Sequence, residues 1–201
     1  NKQKLEDKKE IVSLIRNNEL LSNWYVRNWI HNIPQEIQKE LKSDPKTPKK
    51  IQSMEKTEIS FALEINETYD EIKLLKEGHS VLYSYLPTTE KEYNFPFIVN
   101  CNFLLDASRE KIHKNRKWNE WLFQVIGYKT VECCSELLVN NLFYTTYLSI
   151  FKNGFYHESD NLRSKVNAGL IIGLEKFAIL KNRDNELCKL YEVALDKFNL
   201  N

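Results

Sequence analysis

The chain has 201 residues, 42% of them hydrophobic and 12% aromatic, enough apolar side chain to bury a core in one or two domains. Its 29 Lys and Arg against 28 Asp and Glu leave a net charge of +1. That balance excludes a whole-molecule field for gathering nucleic acid or an anionic membrane and leaves such work to local patches.

Residues 1 to 8 are almost all polar and read as a frayed start. Between Lys9 and Leu21 the apolar residues Ile11, Leu14, Ile15 and Leu21 predict a short amphipathic helix. Trp24, Tyr25, Trp29 and Ile30 then carry too much aromatic area to be left in water. Pro34 opens a second short helix through Ile37 and Leu41. Ser43 to Lys50 reads S-D-P-K-T-P-K-K, an exposed connector.

Beyond it the period changes to two. Ile59, Phe61, Leu63 and Ile65 alternate with Glu58, Ser60, Ala62 and Glu64, predicting a strand over Thr57 to Ile65. A polar excursion, Asn66 to His79, closes at Gly78. Ser80 to Leu86 alternates again with both faces largely apolar, which predicts a central strand, and Phe95 to Leu105 is a third extended segment.

From Trp118 the period is helical: Trp118, Trp121, Leu122, Val125, Ile126, Val131, Cys134, Leu138 and Leu142 form one apolar stripe that Gly127 bends without ending. Asn153-Gly154 supplies a turn. Leu162, Val166, Leu170, Leu174, Phe177 and Ala178 mark a further helix. Asp184 is placed to cap a last one carrying Leu187, Leu190, Tyr191, Ala194 and Phe198. The expected fold is α+β: a helical lead-in over 1–50, a small mixed sheet of about three to four strands over 51–117, and a helical layer over 118–201.

One block carries more than secondary structure. Leu82 to Leu122 contains L-Y-S-Y-L-P-T-T-E-K, then F-P-F-I-V-N-C-N-F-L-L-D-A-S-R-E-K-I, then W-N-E-W-L, preceded by K-T-E-I-S-F-A-L at Lys56 to Leu63. In that order these motifs resemble the segment that follows the nucleotide-binding domain in sacsin-like ATPases of the GHKL superfamily. The resemblance covers about a third of the chain. It implies a transducer or middle domain, a small sheet backed by helices, that couples ATP hydrolysis on a preceding domain to motion. The Glu-and-Asn helix, D-x-G-x-G loop and glycine-rich lid of the ATP-binding domain do not occur, and the chain has only 5 glycines. ATP and Mg are therefore expected on an upstream domain, with none expected in this chain alone. The start at Asn1, with Met54 the only methionine, reads likewise as a piece of a longer protein.

The resemblance singles out Arg109 in Asp106-Ala107-Ser108-Arg109-Glu110. A similar S-R-E loop in the ninety-kilodalton heat-shock chaperones reaches the ATP γ-phosphate. A guanidinium suits that role because its planar, permanently charged fork matches phosphate oxygens. In those chaperones a proline lies a few residues before S-R-E. Here Pro96 precedes Ser108 by twelve, so the loop aligns by its S-R-E core and the helix after it. Ser108, Lys111, Lys114, Asn100 and Asn102 complete the expected phosphate-side set, Lys111 or Lys114 as a second cation.

Each of these residues also has a structural reading. Arg109 can pair with Asp106 or Glu110 at a helix start. Asn100 and Asn102, in an apolar strand, can organise the loop backbone. Thr88 and Thr89 can cap a turn. The basic run Lys111, His113, Lys114, Arg116 and Lys117 can be a solvated turn or, beside Trp118 and Trp121, a nucleic-acid surface.

No G-x-S-x-G elbow, H-E-x-x-H pair or P-loop is present. Cys101, Cys133, Cys134 and Cys188 form no C-x-x-C pair, and His31, His79, His113 and His157 are scattered, so reduced thiols and no metal are expected. Glu132 and Glu136 read as an exposed helix face, and they disfavour a reactive Cys133 thiolate. No signal peptide or run of roughly 20 apolar residues appears, so the cytoplasm is the expected location and no membrane a partner. Expected partners are the upstream ATP-binding domain and a client protein or second copy. The alternatives are a docking module using Trp24 to Ile30 and the C-terminal helices, and a nucleic-acid-binding accessory.

Overall fold

A computed structural model describes residues 7–76, 78–151 and 161–193. In chain order it runs β1 (Lys8–Arg16), β2 (Glu19–Asn32), α1 (Gln35–Ser43), α2 (Lys49–Gln52), β3 (Lys56–Ile65), β4 (Ile72–Lys73), β5 (Leu82–Ser84), β6 (Leu86–Pro87) and β7 (Ile98–Cys101). Then follow α3 (Lys117–Val139), a 3-10 turn at Tyr147–Phe151, α4 (Asn161–Lys176), β8 (Leu180–Lys181), β9 (Leu187–Cys188) and a 3-10 turn at Leu190–Glu192. The fold is α+β, with a mixed sheet larger than the expected three to four strands.

That sheet has seven strands in the order β1-β2-β3-β7-β5-β6, with β4 pairing β3 off the path. All of its pairings are antiparallel except β5 with β7. The expected helical lead-in is instead a β-hairpin. Asn17 and Asn18 take φ of 51° and 64°, the left-handed pair that a two-residue hairpin turn requires and asparagine tolerates. From Asn23 the side chains alternate, with Asn23, Tyr25, Arg27 and Trp29 buried and Trp24, Val26, Asn28 and Ile30 half-buried. Two of the inward positions are polar, which hides the alternation in the sequence. Of residues 1 to 8, Asp7 and Lys8 are described; Lys8 begins β1, and 1–6 lie outside the described residues.

Strand β3 forms as its pattern demands, with Thr57, Ile59, Phe61, Leu63 and Ile65 buried. Ser80 to Leu86 is not a central strand: only Leu82–Ser84 and Leu86–Pro87 are extended, broken at Tyr85 with φ 64°, and they form the sheet's far end. The Asn66 to His79 excursion contains β4. Helix α1 begins just after Pro34, and the connector behind it is less exposed than expected, because Thr47 is buried and Lys49–Gln52 is helical.

The core lies between one sheet face and α3. Helix α3 buries more than a single stripe, since α4 covers it on another side. The helix continues through Gly127 without ending there, as expected. A Cβ at Gly127 would collide with the Val166 carbonyl, and one at Gly169 with that of Gln124, so both glycines serve close approach of two backbones. After α4 the expected last helix is replaced by the β8–β9 hairpin, whose turn Asn182 holds by accepting the amides of Asp184 and Glu186 at 2.9 Å each. The Asn153-Gly154 turn, His157, Ala194 and Phe198 lie outside the described residues.

Candidate functional site

The D-A-S-R-E segment follows β7 and closes a tight loop rather than opening a helix. Leu105 bridges Ile112, the Asp106 amide donates to the Lys111 carbonyl at 2.9 Å, and the His113 amide donates to Leu104 at 3.1 Å. Asp106 organises the interior of the loop. Its Oδ1 accepts the Ser108 hydroxyl at 2.8 Å and the amides of Glu110 and Lys111 at 3.2 and 3.3 Å. The Ser108 hydroxyl, with those amides, holds the Asp106 carboxyl below the usual carboxylate range.

While Asp106 Oδ1 serves the loop's own hydroxyl and amides, Arg109 forms no ion pair with a described carboxylate. Its backbone sits at φ 62°, its amide donates to the Asp106 carbonyl at 3.0 Å, and its side chain is exposed. The guanidinium makes no hydrogen bond or ion pair to another described residue, so the pairing with Asp106 or Glu110 is not formed.

Two neighbours brace the loop from outside. Glu90, buried, accepts the Ile112 amide at 3.0 Å, and Thr89 gives its amide and hydroxyl to the Glu110 carbonyl at 2.8 and 3.1 Å. Thr88 caps its own turn, donating to the Leu82 carbonyl at 2.9 Å.

Arg109 lines a cavity of about 610 Å³ together with Lys46, Tyr85, Asp106, His113 and Arg116. Lys46 comes from the connector, which Asp44 docks beside α3 by pairing with Arg116; the Arg116 guanidinium also donates to the Thr47 hydroxyl at 3.3 Å. The Lys50 ammonium lies 5.3 Å from the Tyr85 ring centre. The cavity thus gathers Lys46, Arg109 and Arg116 against Asp106, an arrangement suited to an anion with several oxygens.

The remaining expected residues are dispersed. Asn100 accepts the Tyr85 amide at 3.0 Å, and Asn102 donates to the Thr57 hydroxyl at 3.1 Å, so both hold backbone and neighbours in place. They line a separate recess of about 80 Å³ with Glu58 and Tyr85. Lys114 pairs with Glu92 at 2.5 Å, and the exposed Lys111 does not line the large cavity. Trp118 is buried with its indole donating to the Asn102 carbonyl at 2.7 Å, which removes it as a stacking platform.

Sequence reasoning passed over Lys46, Tyr85 and Glu90. Lys46 stood in a stretch read only as a connector, and Glu90 becomes a brace only through a residue 22 positions away.

Elsewhere, burial raises the Cys101, Cys133 and Cys134 thiols well above their ordinary range. Glu136 is not a free exposed face, because it pairs with Arg27. Among the described residues, no group of three or more His, Cys, Asp and Glu is placed to hold a metal, and no helix is long and apolar enough to cross a membrane. No family model matches the chain, and neither a curated protein nor a solved structure matches it.

Proposed function

We propose that this chain is the middle, transducer segment of a sacsin-like GHKL ATPase, in which Arg109 contacts the γ-phosphate of ATP held by a preceding domain in the cytoplasm. The observation that supports this best is the free Arg109 guanidinium: exposed, unpaired among the described residues, and carried by a loop whose Asp106 Oδ1 is engaged by the loop's own Ser108 hydroxyl and the Glu110 and Lys111 amides. A permanently charged group left without a partner beside Lys46 and Arg116 suits an anion that arrives from outside. The loop rises from β7 and is tied to Thr89 and Glu90, so a push on it is transmitted to the sheet. On this reading Lys46, His113 and Arg116 stand beside Arg109 in the phosphate set, while Ser108, Asn100 and Asn102 shape the loop and its surroundings.

The test is ATP turnover by the upstream domain with and without this chain. Adding the chain is expected to raise turnover, and Arg109→Ala is expected to cut the stimulated rate by about a hundredfold or more. An alanine variant that stimulates as well as the natural chain removes the assignment.

A further inference from the structure

We propose that β1 is a self-association edge, and that two copies of this chain pair their β1 strands antiparallel into one continuous sheet. Strand β1 ends the sheet order and, among the described residues, pairs only with β2, so the outward amides and carbonyls of a nine-residue strand lack strand partners. Edges of this length are ordinarily blunted by proline, a bulge or a central charge. Here Ile11 to Ile15 contains neither proline nor charge. The register shift at Leu14/Ile15 adds its extra residue, Leu21, to β2 and leaves β1 regular.

In the middle of this edge Ile11, Leu14 and Ile15 are exposed apolar side chains. Ile11 is 52% exposed and Ile15 67%, and Leu20 and Leu21 extend the same arm past the end of the β2–β3 pairing at Asn23.

The occupant is argued from charge. In an antiparallel pair centred on Ser13, Ile11 faces Ile15 of the second copy, Val12 faces Leu14, and Glu10 faces Arg16, each twice by symmetry. Centring on Val12 instead would set Lys8 against Arg16, like charge against like. Centring on Leu14 would leave Glu10 and Ile11 unopposed. Glu10 now pairs with Lys8 at 2.6 Å, but this is a surface pair, with Lys8 exposed and Glu10 half-buried, so exchanging that partner for Arg16 costs little. The surface therefore fits a second copy of itself. This inference stands apart from the nucleotide reading, because none of its residues lines the Arg109 cavity.

Sedimentation of the 201-residue chain over a dilution series decides it. A species of twice 23.9 kDa is expected at the concentrated end. Arg16→Glu should move the midpoint of dissociation up at least about tenfold, and Glu10→Arg combined with it should restore the natural value. Ser13→Cys should give a covalent dimer on mild oxidation, since directly opposed residues bring their Cβ atoms to about 4.5–5.5 Å. A single-copy mass throughout the series overturns the proposal. So does a dimer that survives Arg16→Glu together with Ile15→Lys, which would place the contact elsewhere. A dimer without the Ser13→Cys crosslink overturns the register.

Discussion

Arg27 on β2 grips Glu136 on α3 through two parallel bonds, Nε to Oε2 and Nη2 to Oε1, each 2.8 Å long. The pair spans 109 positions of sequence and fastens the sheet to its covering helix. Arg27 is nearly enclosed: its Nη1 donates to the Asn28 carbonyl at 2.5 Å and its guanidinium lies 4.8 Å from the Trp29 ring centre. The hydrogen bonds that Arg27 donates to Glu136 raise the Arg27 pKa above its already high value, so the cation persists at any working pH.

Removing one partner strands the other charge. Glu136→Ala is expected to cost about 2–3 kcal/mol, less than a fully buried pair because Glu136 keeps some solvent, and to lower Tm by about 5–10 °C. The double variant Arg27→Met with Glu136→Leu should cost less than the sum of the singles. Urea denaturation of the natural chain, of Arg27→Met and Glu136→Leu singly, and of the double measures this, and additive losses would show that the pair is not coupled.

The crossing of α3 and α4 depends on three glycines. A Cβ at Gly127 or Gly169 meets backbone carbonyl, which cannot rotate away, whereas one at Gly173 meets the Val131 side chain at 2.7 Å. Gly127→Ala and Gly169→Ala should each cost about 3 kcal/mol, and Gly173→Ala less, because a side chain can shift where a backbone cannot. Melting curves check the ranking. Equal effects at all three positions would mean that the helices separate freely.

His31 makes stability depend on pH with a definite sign. Burial, then the nearby Lys129 charge, lowers its pKa below the usual value of about 6.5, with Asp7 opposing. Between the folded and unfolded values the unfolded chain binds a proton that the folded chain refuses, so stability rises with pH there. This contribution is complete above about pH 6.5 and is lost as pH falls towards the lower, folded value. His31→Gln should flatten that part of the profile. Urea midpoints at neutral and mildly acid pH read the difference, and parallel profiles would exclude His31 as the cause.

Local patterns in the chain determined β3, α3 and α4 without help. Thr57 to Ile65 puts every second side chain in the core, and the apolar spacing from Trp118 leaves no other economical way to bury it. The loop at Asp106 to Glu110 was equally readable as polar, arginine-bearing and placed after a strand. The hairpin at the start was not. Its inward positions include Asn23 and Arg27, and these are tolerable inside only because Ser13 and Glu136 satisfy them from elsewhere. The last helix failed for a related reason, as the Asn182 side chain closes a turn that competes with helix propagation. Tertiary structure alone decided that Lys46 and Arg109 line one cavity and that Arg109 goes unpaired among the described residues. Periodicity records which side of a segment meets apolar matter, whereas the partner of a polar group is supplied by whatever the fold carries to it.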